Sequence, residues 1–296
     1  MKHNIFKSYL ILLSTGIRMK EKIAITIDKS LLKRIEGMVD GSEIKNRSHA
    51  IESLLQRSLR SDSPKKAIIL AGGKGTRLRP ITYEIPKALI PVHNKTLTEH
   101  LFDLFKRHGI NDVIMSIGHL GEKIKQQYGD GSRYGIRLSY VEEKKPLGTG
   151  GPLRLARKLL KESFIVTNGD ELKDIDLNAM FRFHTRNRAS ATIALTTVSD
   201  PSQYGVARLE GGRILEFVEK PAKGKAPSRL INSGLYILEP EVIDMVKPGF
   251  CMLEKDVFPE LARQGRLFGF PFSGQWFDTG NMERYERALK EWKDLA

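Results

Sequence analysis

The chain contains 296 residues, of which 40% are hydrophobic and 28% are charged, and its formal net charge is +14. A single cysteine, Cys251, excludes an internal disulfide framework and a cysteine-rich metal site, which fits a reducing compartment and predicts a cytoplasmic protein. No apolar run approaches the roughly 20 residues that a bilayer-spanning helix needs, which argues against a transmembrane class. The positive charge suits a protein that handles triphosphates or nucleic acid, although excess lysine is also common on protein surfaces.

The first 18 residues superficially imitate a signal peptide. Lys2 and Lys7 precede the short apolar run Tyr9–Leu13, but no small-residue cleavage pattern follows it. We therefore expect residues 1–18 to form a disordered tail. Met19 begins a segment that is complete without them, so translation from Met19 is a hypothesis that an intact-mass measurement tests.

Residues 19–61 show a pattern that differs from the rest of the chain. Ile23, Ile25 and Ile27 alternate with polar or small residues, which predicts a short strand with one apolar face. Asp28 is placed to cap a helix that continues to Gly41. Asn46 is placed to cap a second helix with an apolar stripe. The apolar helix positions are Leu31, Leu32, Ile35, Met38 and Val39 in the first helix and Ala50, Ile51, Leu54, Leu55 and Leu59 in the second.

A strand and two helices in about 40 residues cannot bury their own apolar faces, so we expect this unit to form a homodimer or higher oligomer. The order of elements resembles the ribbon-helix-helix fold, in which paired strands enter the major groove of duplex DNA. By that resemblance Lys22, Ala24 and Thr26 face the bases, and Asn46, Arg47 and Ser48 hold a phosphate. Ala24 offers no hydrogen bond to a base. A dimerisation unit that binds no DNA is therefore the alternative.

After the polar linker Ser61–Pro64, residues 65–296 alternate apolar runs with amphipathic stretches. This alternation predicts an α/β domain with a mainly parallel sheet and a site at the carboxyl ends of its strands. The predicted strands are Lys66–Leu70, Asp112–Ile117, Phe164–Thr167, Ala191–Thr197 and Leu235–Leu238, and the predicted helices include Leu97–Arg107 and Gly151–Leu160.

An apolar strand runs directly into a glycine loop at residues 71–77, and Lys87 follows shortly after it. Gly72, Gly73 and Gly75 permit close backbone approach, so successive N–H groups are able to point at phosphate oxygens. Arg77 and Lys87 add charge where a pyrophosphate would lie. The spacing matches neither the Walker loop nor the dinucleotide fingerprint. The pattern nonetheless predicts a nucleoside triphosphate site.

This motif and five others, in the same order, resemble those of the sugar-1-phosphate nucleotidylyltransferases from about residue 65 to the end of the chain. The other motifs are Glu142–Gly151, Asn168–Asp170, Glu219–Pro221, Ile231–Tyr236 and Trp276–Gly280. The mannose-1-phosphate guanylyltransferase branch and the glucose-1-phosphate thymidylyl- or uridylyltransferase branch are similar to the chain, and the motifs do not separate them. The resemblance implies a mainly parallel mixed sheet of the Rossmann-like nucleotide-diphospho-sugar transferase type. The chain ends soon after Trp292, so we expect no appended β-helix and no acetyltransferase activity.

The resemblance also implies a role for individual residues. The expected catalytic residues are Arg77, Lys87 and Asp170, and Asp170 and Asp278 are the expected ligands of a Mg²⁺ cofactor. The expected nucleotide-binding residues are Ala71, Gly72, Gly73, Gly75, Thr76, Arg77, Glu143 and Gly148. The expected sugar-phosphate-binding residues are Gly205, Glu219, Lys220 and Asn232.

Base selection is expected around Glu143 and Gly148, with Gly118 and Gly131 shaping the pocket. A carboxylate only accepts hydrogen bonds, so Glu143 suits the two adjacent donors of guanine, whereas a glutamine would suit uracil or thymine. We therefore favour guanosine triphosphate with mannose-1-phosphate, and keep glucose-1-phosphate with uridine or thymidine triphosphate open.

These observations leave two classes of function. The first is a magnesium-dependent enzyme that transfers a nucleotidyl group to a sugar-1-phosphate and carries a head that binds DNA or only dimerises. The second is a transcriptional regulator whose nucleotidyltransferase-like domain senses a sugar phosphate or a nucleotide. The presence of Arg77, Lys87, Asp170 and Asp278 together favours the enzyme, because a sensor does not need both a phosphate clamp and metal ligands.

Overall fold

The structure is a computed structural model, and it describes residues 25–42, 44–58 and 64–294. The chain divides into two compact units, Met1–Arg60 and Ser61–Ala296, which we call the head and the main domain. Within the described residues, every helix is too short or too polar to cross a bilayer.

The first helix of the head, α1, spans Lys29–Glu36. As predicted, Asp28 caps it, because its Oδ1 atom accepts hydrogen bonds from the N–H groups of Ser30 and Leu31 at 2.8 and 3.3 Å. The helix ends at Gly37 and does not continue to Gly41, so the predicted length was wrong. Glycine has a low helix propensity, and the Gly37 N–H group closes the last turn.

The second helix of the head, α2, spans Arg47–Ser58, and its predicted cap is confirmed by the hydrogen bond from His49 N–H to Asn46 Oδ1 at 2.9 Å. Residues 25–28 form no strand within one chain. Lys22, Ile23 and Ala24 lie outside the described residues. Because a ribbon strand pairs only with a second chain, the predicted strand stays a prediction.

The main domain is built on a nine-stranded mixed sheet. Its strands are β1 (Lys66–Ala71), β4 (Asp112–Ile117), β5 (Arg137–Glu142), β6 (Phe164–Asn168), β8 (Ala191–Thr197), β9 (Gly205–Glu210), β10 (Arg213–Glu219), β11 (Leu230–Leu238) and β12 (Leu267–Pro271). Their order in the sheet is β5-β4-β1-β6-β11-β8-β12-β10-β9. The pairs β5-β4, β4-β1, β1-β6 and β8-β12 are parallel, and β11 is antiparallel to both β6 and β8.

Two short antiparallel pairings accompany this sheet. Strands β2 (Pro91–Val92) and β3 (Lys95–Thr96) pair with each other, and β7 (Glu171–Lys173) pairs with β13 (Trp276–Asp278). The helices are α3 (Ile81–Glu84), α4 (Leu97–Arg107), α5 (Gly121–Tyr128), α6 (Gly151–Ala156), α7 (Leu177–Arg186), α8 (Phe258–Arg263) and α9 (Met282–Glu291).

The sheet lies between two apolar layers. Successive side chains of a strand point to opposite faces, so Ile68 of β1 packs in the layer that contains α8, whereas Ala67 and Ile69 pack in the layer that contains α4. Burial on both faces explains why the central strands are nearly continuous apolar runs.

Most predicted elements agree with the structure. The bounds of β4, β8 and α4 are those predicted, whereas α6 ends at Ala156 rather than Leu160. Strand β11 begins at Leu230, five residues earlier than predicted. Its pairing register shifts between Asn232 and Tyr236, where Gly234 has a φ of +62°, so the alternating pattern is interrupted there.

Candidate active site

The carboxyl ends of β1, β5 and β6 open into a cavity of about 440 Å³, as expected for parallel strands of an α/β sheet. All eight residues predicted to bind the nucleotide line this cavity, together with Lys87 and Asp170. The lining residues are Leu70, Ala71, Gly72, Gly73, Lys74, Gly75, Thr76, Arg77, Lys87, Ala88, Glu143, Pro146, Leu147, Gly148, Thr149, Asn168, Gly169, Asp170, Phe250 and Gly280.

The glycine loop after β1 is fixed by its neighbours. Gly75 has a φ of +61°, and a Cβ atom at this position would lie 2.8 Å from Thr82 Cγ2. The hydroxyl of the buried Thr82 donates to the Gly75 carbonyl at 2.7 Å. A side chain at residue 75 is therefore excluded both by the backbone conformation and by contact with Thr82.

Lys87 and Asp170 form a close ion pair on one wall of the cavity. Lys87 Nζ lies 2.5 Å from Asp170 Oδ2. Burial alone would raise the pKa of Asp170, but the positive charges of Lys87, Lys173 and Arg77 hold this pKa below its ordinary value. The structure thus brings the three predicted catalytic residues together around an ionised carboxylate.

Asp278 reaches the same region through the pairing of β13 with β7, which places it opposite Glu171. The next residue, Thr279, donates to the Asp170 carbonyl from both its N–H group, at 3.2 Å, and its hydroxyl, at 2.8 Å. Asp278 Oδ2 accepts hydrogen bonds from Arg284 and, at 3.3 Å, from Tyr204. The two predicted metal ligands therefore lie on backbone segments that are hydrogen-bonded to each other.

The chemistry of these two carboxylates suits a hard divalent cation. Each directs its Oδ2 atom at a basic side chain. Within the described ranges the hydrogen bonds to both carboxylates end on Oδ2, which leaves the Oδ1 atoms of Asp170 and Asp278 for other ligands. In the described ranges no group of three or more His, Cys, Asp or Glu side chains forms a metal cluster. Mg²⁺ does not need one, because it commonly takes one or two carboxylates and completes its shell with phosphate oxygens and water.

A buried ion pair that was not predicted, Glu171 with Lys173, lies next to Asp170 in the sequence. Lys173 Nζ, whose side chain is fully buried, lies 3.2 Å from Glu171 Oε2 and donates to Thr167 Oγ1 at 3.1 Å. Asn168 and Trp276 each donate to Glu171 at 3.0 Å. Burial raises the pKa of Glu171 well above its ordinary range even though Lys173 opposes the shift.

Glu143 also lines the cavity, and its carboxylate lies close to the backbone of the glycine loop at Gly72. Its two oxygens accept hydrogen bonds from Ser116 Oγ at 2.8 Å and from Leu147 N–H at 3.0 Å. A Cβ atom on Gly72 would lie 2.2 Å from Glu143 Oε1, so a larger residue at position 72 would displace the carboxylate from this position.

The two other glycines expected to shape the pocket differ in their location. Gly118 packs against the glycine loop, since a Cβ atom there would lie 2.8 Å from the Gly72 carbonyl oxygen. Gly131 packs against Ile136 and Leu138 instead. Neither glycine is among the described residues that line the cavity, but Gly118 contacts the loop that does line it. The expectation for Gly131 was therefore wrong. Its φ of +81° fits a turn that starts a short 3-10 helix at Ser132.

The predicted sugar-phosphate residues form a second group on the neighbouring strands β9, β10 and β11. Gly205 pairs with Glu219, and a Cβ atom on Gly205 would lie 2.8 Å from Glu219 Oε2. Lys220 Nζ lies 4.0 Å from Glu219 Oε1. Asn232 Nδ2 donates to Tyr236 Oη at 2.9 Å. The described residues that line the 440 Å³ cavity include none of these four predicted sugar-phosphate residues.

A chain of hydrogen bonds, which we call the Glu254 relay, joins the two groups. Thr149 of the cavity donates to Glu254 Oε2 at 2.6 Å, Tyr236 donates to Glu254 Oε1 at 3.0 Å, and Asn232 donates to Tyr236. Burial, followed by the charge of Glu254, raises the pKa of Glu219 above its ordinary value. The relay gives a continuous polar contact between the cavity and the predicted sugar residues.

The fold and the cavity are those of a nucleotidyl transferase, and comparison with known proteins agrees. The family model described as "Nucleotidyl transferase" matches residues 66–294, so the chain belongs to this family.

Two relatives of known name show which members of the family are similar to this chain. The chain is 42% identical over 221 residues to a mannose-1-phosphate guanylyltransferase catalytic subunit beta of Xenopus tropicalis, which covers 73% of this chain and 61% of that protein. It is 38% identical over 242 residues to a UTP–glucose-1-phosphate uridylyltransferase of Synechocystis sp., which covers 76% and 62%. The chain therefore spans about three fifths of the length of these relatives.

Solved structures confirm the expected fold class of the main domain. A putative glucose-1-phosphate thymidylyltransferase from Bacillus anthracis superposes with a TM-score of 0.72 and 28% identity, covering 78% of this chain and 96% of that chain. A UDP-glucose pyrophosphorylase complexed with UDP-glucose superposes with a TM-score of 0.68 and 27% identity, covering 76% and 97%.

Proposed function

We propose that the main domain transfers a nucleotidyl group from a nucleoside triphosphate to a sugar-1-phosphate, giving a nucleotide-sugar and pyrophosphate. The observation that carries this proposal is the convergence of the glycine loop, Arg77, Lys87 and Asp170 on one cavity. The names of the similar proteins support it, because they pair a sugar-1-phosphate with a nucleotide.

In this reaction an oxygen of the sugar phosphate attacks the α-phosphorus. The new P–O bond forms as the bond to the oxygen that bridges the α- and β-phosphates breaks, and pyrophosphate leaves with that oxygen. Such a transfer needs positioning and neutralisation of charge more than a covalent protein group. The loop N–H groups and Arg77 hold the β- and γ-phosphates, and Lys87 stabilises the charge that develops at the α-phosphate.

The cofactor we propose is Mg²⁺, which Asp170 and Asp278 would hold. When bound, it neutralises phosphate charge in the transition state. The ion pair with Lys87 orients the Asp170 carboxylate, and the hydrogen bonds from Arg284 and Tyr204 orient that of Asp278.

Guanosine triphosphate and mannose-1-phosphate are the substrates we favour. An ionised carboxylate has about four acceptor positions, and Ser116 and Leu147 use two of them, so Glu143 keeps capacity for the two adjacent donors of guanine. The names of several relatives agree with this choice. Uridine or thymidine triphosphate with glucose-1-phosphate is the alternative, and the name of the Synechocystis relative supports it.

A pyrophosphate-release assay tests this function. Each of several nucleoside triphosphates is combined with a panel of sugar-1-phosphates, with Mg²⁺ or with a chelator. We expect release that needs both substrates and the metal. Absence of release from every pair, with nucleotide binding retained, would overturn the enzyme and favour the sensing regulator.

For the head we propose dimerisation and binding of duplex DNA. Leu31 of α1 and Leu55 of α2 are 46% and 45% exposed in one chain, so apolar surface is available for a second copy. Asn46, Arg47 and Ser48 lie at the start of α2, where N–H groups favour an anion. Thr26 is exposed, as base reading by the ribbon requires.

A further inference from the structure

One rim of the cavity is formed by the segment Gly249–Met252, which is held tightly against the loop Leu147–Gly150. Cys251 N–H donates to the Leu147 carbonyl at 3.0 Å, and Gly150 N–H donates to the Cys251 carbonyl at 2.9 Å. A Cβ atom on Gly148 would lie 2.4 Å from that same carbonyl oxygen. The Cys251 side chain is buried, so the backbone on this rim has a fixed position.

Phe250 is the residue that this rim presents to the cavity. Its side chain is 65% exposed, the highest value among the large hydrophobic residues in the part of the chain that is described, and it lines the cavity. A phenylalanine left in water forgoes the hydrophobic gain of burial. The folded segment nevertheless holds this ring at the cavity and not in either apolar layer.

The position of Phe250 indicates which part of a nucleoside triphosphate, the phosphates or the base, it would contact. The phosphate end of the cavity is marked by Arg77 and Lys87, and an uncharged ring adds nothing to phosphate binding there. The segment that carries Phe250 is instead bonded to Leu147 and packed against Gly148, and Leu147 also donates to Glu143. Phe250 is therefore carried by the segment that is hydrogen-bonded to the partner loop of Glu143, the residue around which the base is expected.

We propose that Phe250 binds the nucleobase of the triphosphate by stacking on its face. The proposal rests on the nucleotide site of the proposed function and adds a residue that sets affinity without setting base identity. Every base has a π-face, so stacking on an aromatic ring tolerates any base. Glu143 selects the base by hydrogen bonds at its edge, and Phe250 supplies binding that is common to purines and pyrimidines.

Binding of three probes to the full-length protein tests this assignment without turnover. The probes are guanosine triphosphate, uridine triphosphate and inorganic tripolyphosphate, with no sugar phosphate present. For Phe250→Ala we expect both nucleotides to bind roughly 5- to 100-fold more weakly, and tripolyphosphate to bind within about twofold of wild type. The matched control is Leu215→Ala, another exposed apolar residue that does not line the cavity, and it leaves all three affinities unchanged.

A second variant reports the contact directly. In Phe250→Trp, the indole fluorescence changes when either nucleotide binds and stays constant with tripolyphosphate, whereas Leu215→Trp shows no such difference. Equal weakening of tripolyphosphate and nucleotides by Phe250→Ala, or no weakening, would overturn the stacking role. If the wild-type protein binds nucleotides but releases no pyrophosphate, the proposed function is overturned. The binding data for Phe250→Ala then still test the stacking role by themselves. If wild type binds no nucleotide, both are overturned.

Discussion

Lys87 Nζ and Asp170 Oδ2 lie 2.5 Å apart, although 83 residues separate them in the sequence. The positive charge of Lys87 favours the ionised form of Asp170 in this partly buried wall. Because the pKa of Asp170 is held below its ordinary value of 3.8, the ionised carboxylate stabilises the folded state above that pH. This contribution is lost as the pH falls from there through the folded-state pKa.

We expect Asp170→Ala to abolish turnover and to leave the fold intact. The carboxylate is a proposed metal ligand at the end of a strand, not a core side chain. Pyrophosphate release and thermal unfolding followed by circular dichroism measure the two effects. The control is Asp244→Ala, which removes an exposed partner of Arg157 and should retain activity. Wild-type rates that still need magnesium in Asp170→Ala would contradict the assignment.

Lys87→Ala should lower kcat by roughly two to three orders of magnitude and change KM for the triphosphate much less, because Lys87 acts on charge that develops in the transition state. Steady-state kinetics separate the two constants. Lys74→Ala is the control, since Lys74 lines the cavity and is exposed, and it should affect kcat less than tenfold. An effect confined to KM would make Lys87 a ground-state binding residue.

Glu143→Gln should weaken the preference for guanosine triphosphate and improve the use of uridine or thymidine triphosphate. The amide oxygen is able to keep the bond from Leu147, and the Ser116 hydroxyl is able to rotate and accept from the amide NH₂ group. Ratios of kcat/KM for the competing triphosphates measure the change. Ser116→Ala keeps the carboxylate and should keep the preference. A wild-type enzyme that already prefers a pyrimidine would contradict the guanine assignment.

Lys173→Met should destabilise the main domain by about 3–5 kcal/mol, because it leaves the buried Glu171 without its cation. The double variant Lys173→Met with Glu171→Gln should recover most of this loss, since no buried charge is left unpaired. Urea denaturation at a pH above the pKa of Glu171, which burial raises to about 7, gives the free energy of unfolding of each variant with Glu171 ionised in the wild type. Equal losses in the single and double variants would show that packing of the lysine stem, not charge pairing, sets the cost.

The full chain should dimerise through the head and bind duplex DNA with an affinity that falls steeply as salt rises. Arg47→Ala should weaken binding to all sequences and lower the salt slope by about one, whereas Lys22→Ala should relax sequence preference. Arg47 pairs with Glu36 across exposed positions, so its loss should cost little stability. Lys33→Ala on α1 is the control for charge alone. If the chain dimerises but does not bind a pool of genomic fragments at low salt, the DNA-binding proposal is contradicted and the head is a dimerisation unit only.

The central strands of the sheet were predictable because both of their faces are buried, so that successive residues are apolar. Strands β9 and β10 were missed because they lie at one end of the sheet and carry charged residues such as Arg208 and Glu216, which pair with each other across the strands. Strand β11 was shortened because Asn232 and Gly234 interrupt its apolar pattern at a shift in register.

The glycine loop and Lys87 were predictable because short motifs carry them. Glu171 and Lys173 lie only two positions apart, but nothing in their local sequence marks them as buried, because distant segments complete their surroundings. One example is Trp276, 105 residues away from Glu171. Glu254 was missed for the same reason, because its contact with Thr149 joins residues that are 105 positions apart.

The Glu254 relay means that the two halves of the site cannot be redesigned as separate modules. Tyr236 accepts a hydrogen bond from Asn232 and donates one to Glu254, whose other oxygen accepts from Thr149 at the cavity. A substitution of Asn232, the proposed sugar residue, also alters the polar network that supports the loop Leu147–Gly150, where we propose that the base binds. Libraries that vary sugar recognition and base recognition together should therefore yield active variants that stepwise libraries, selected on one substrate at a time, would discard.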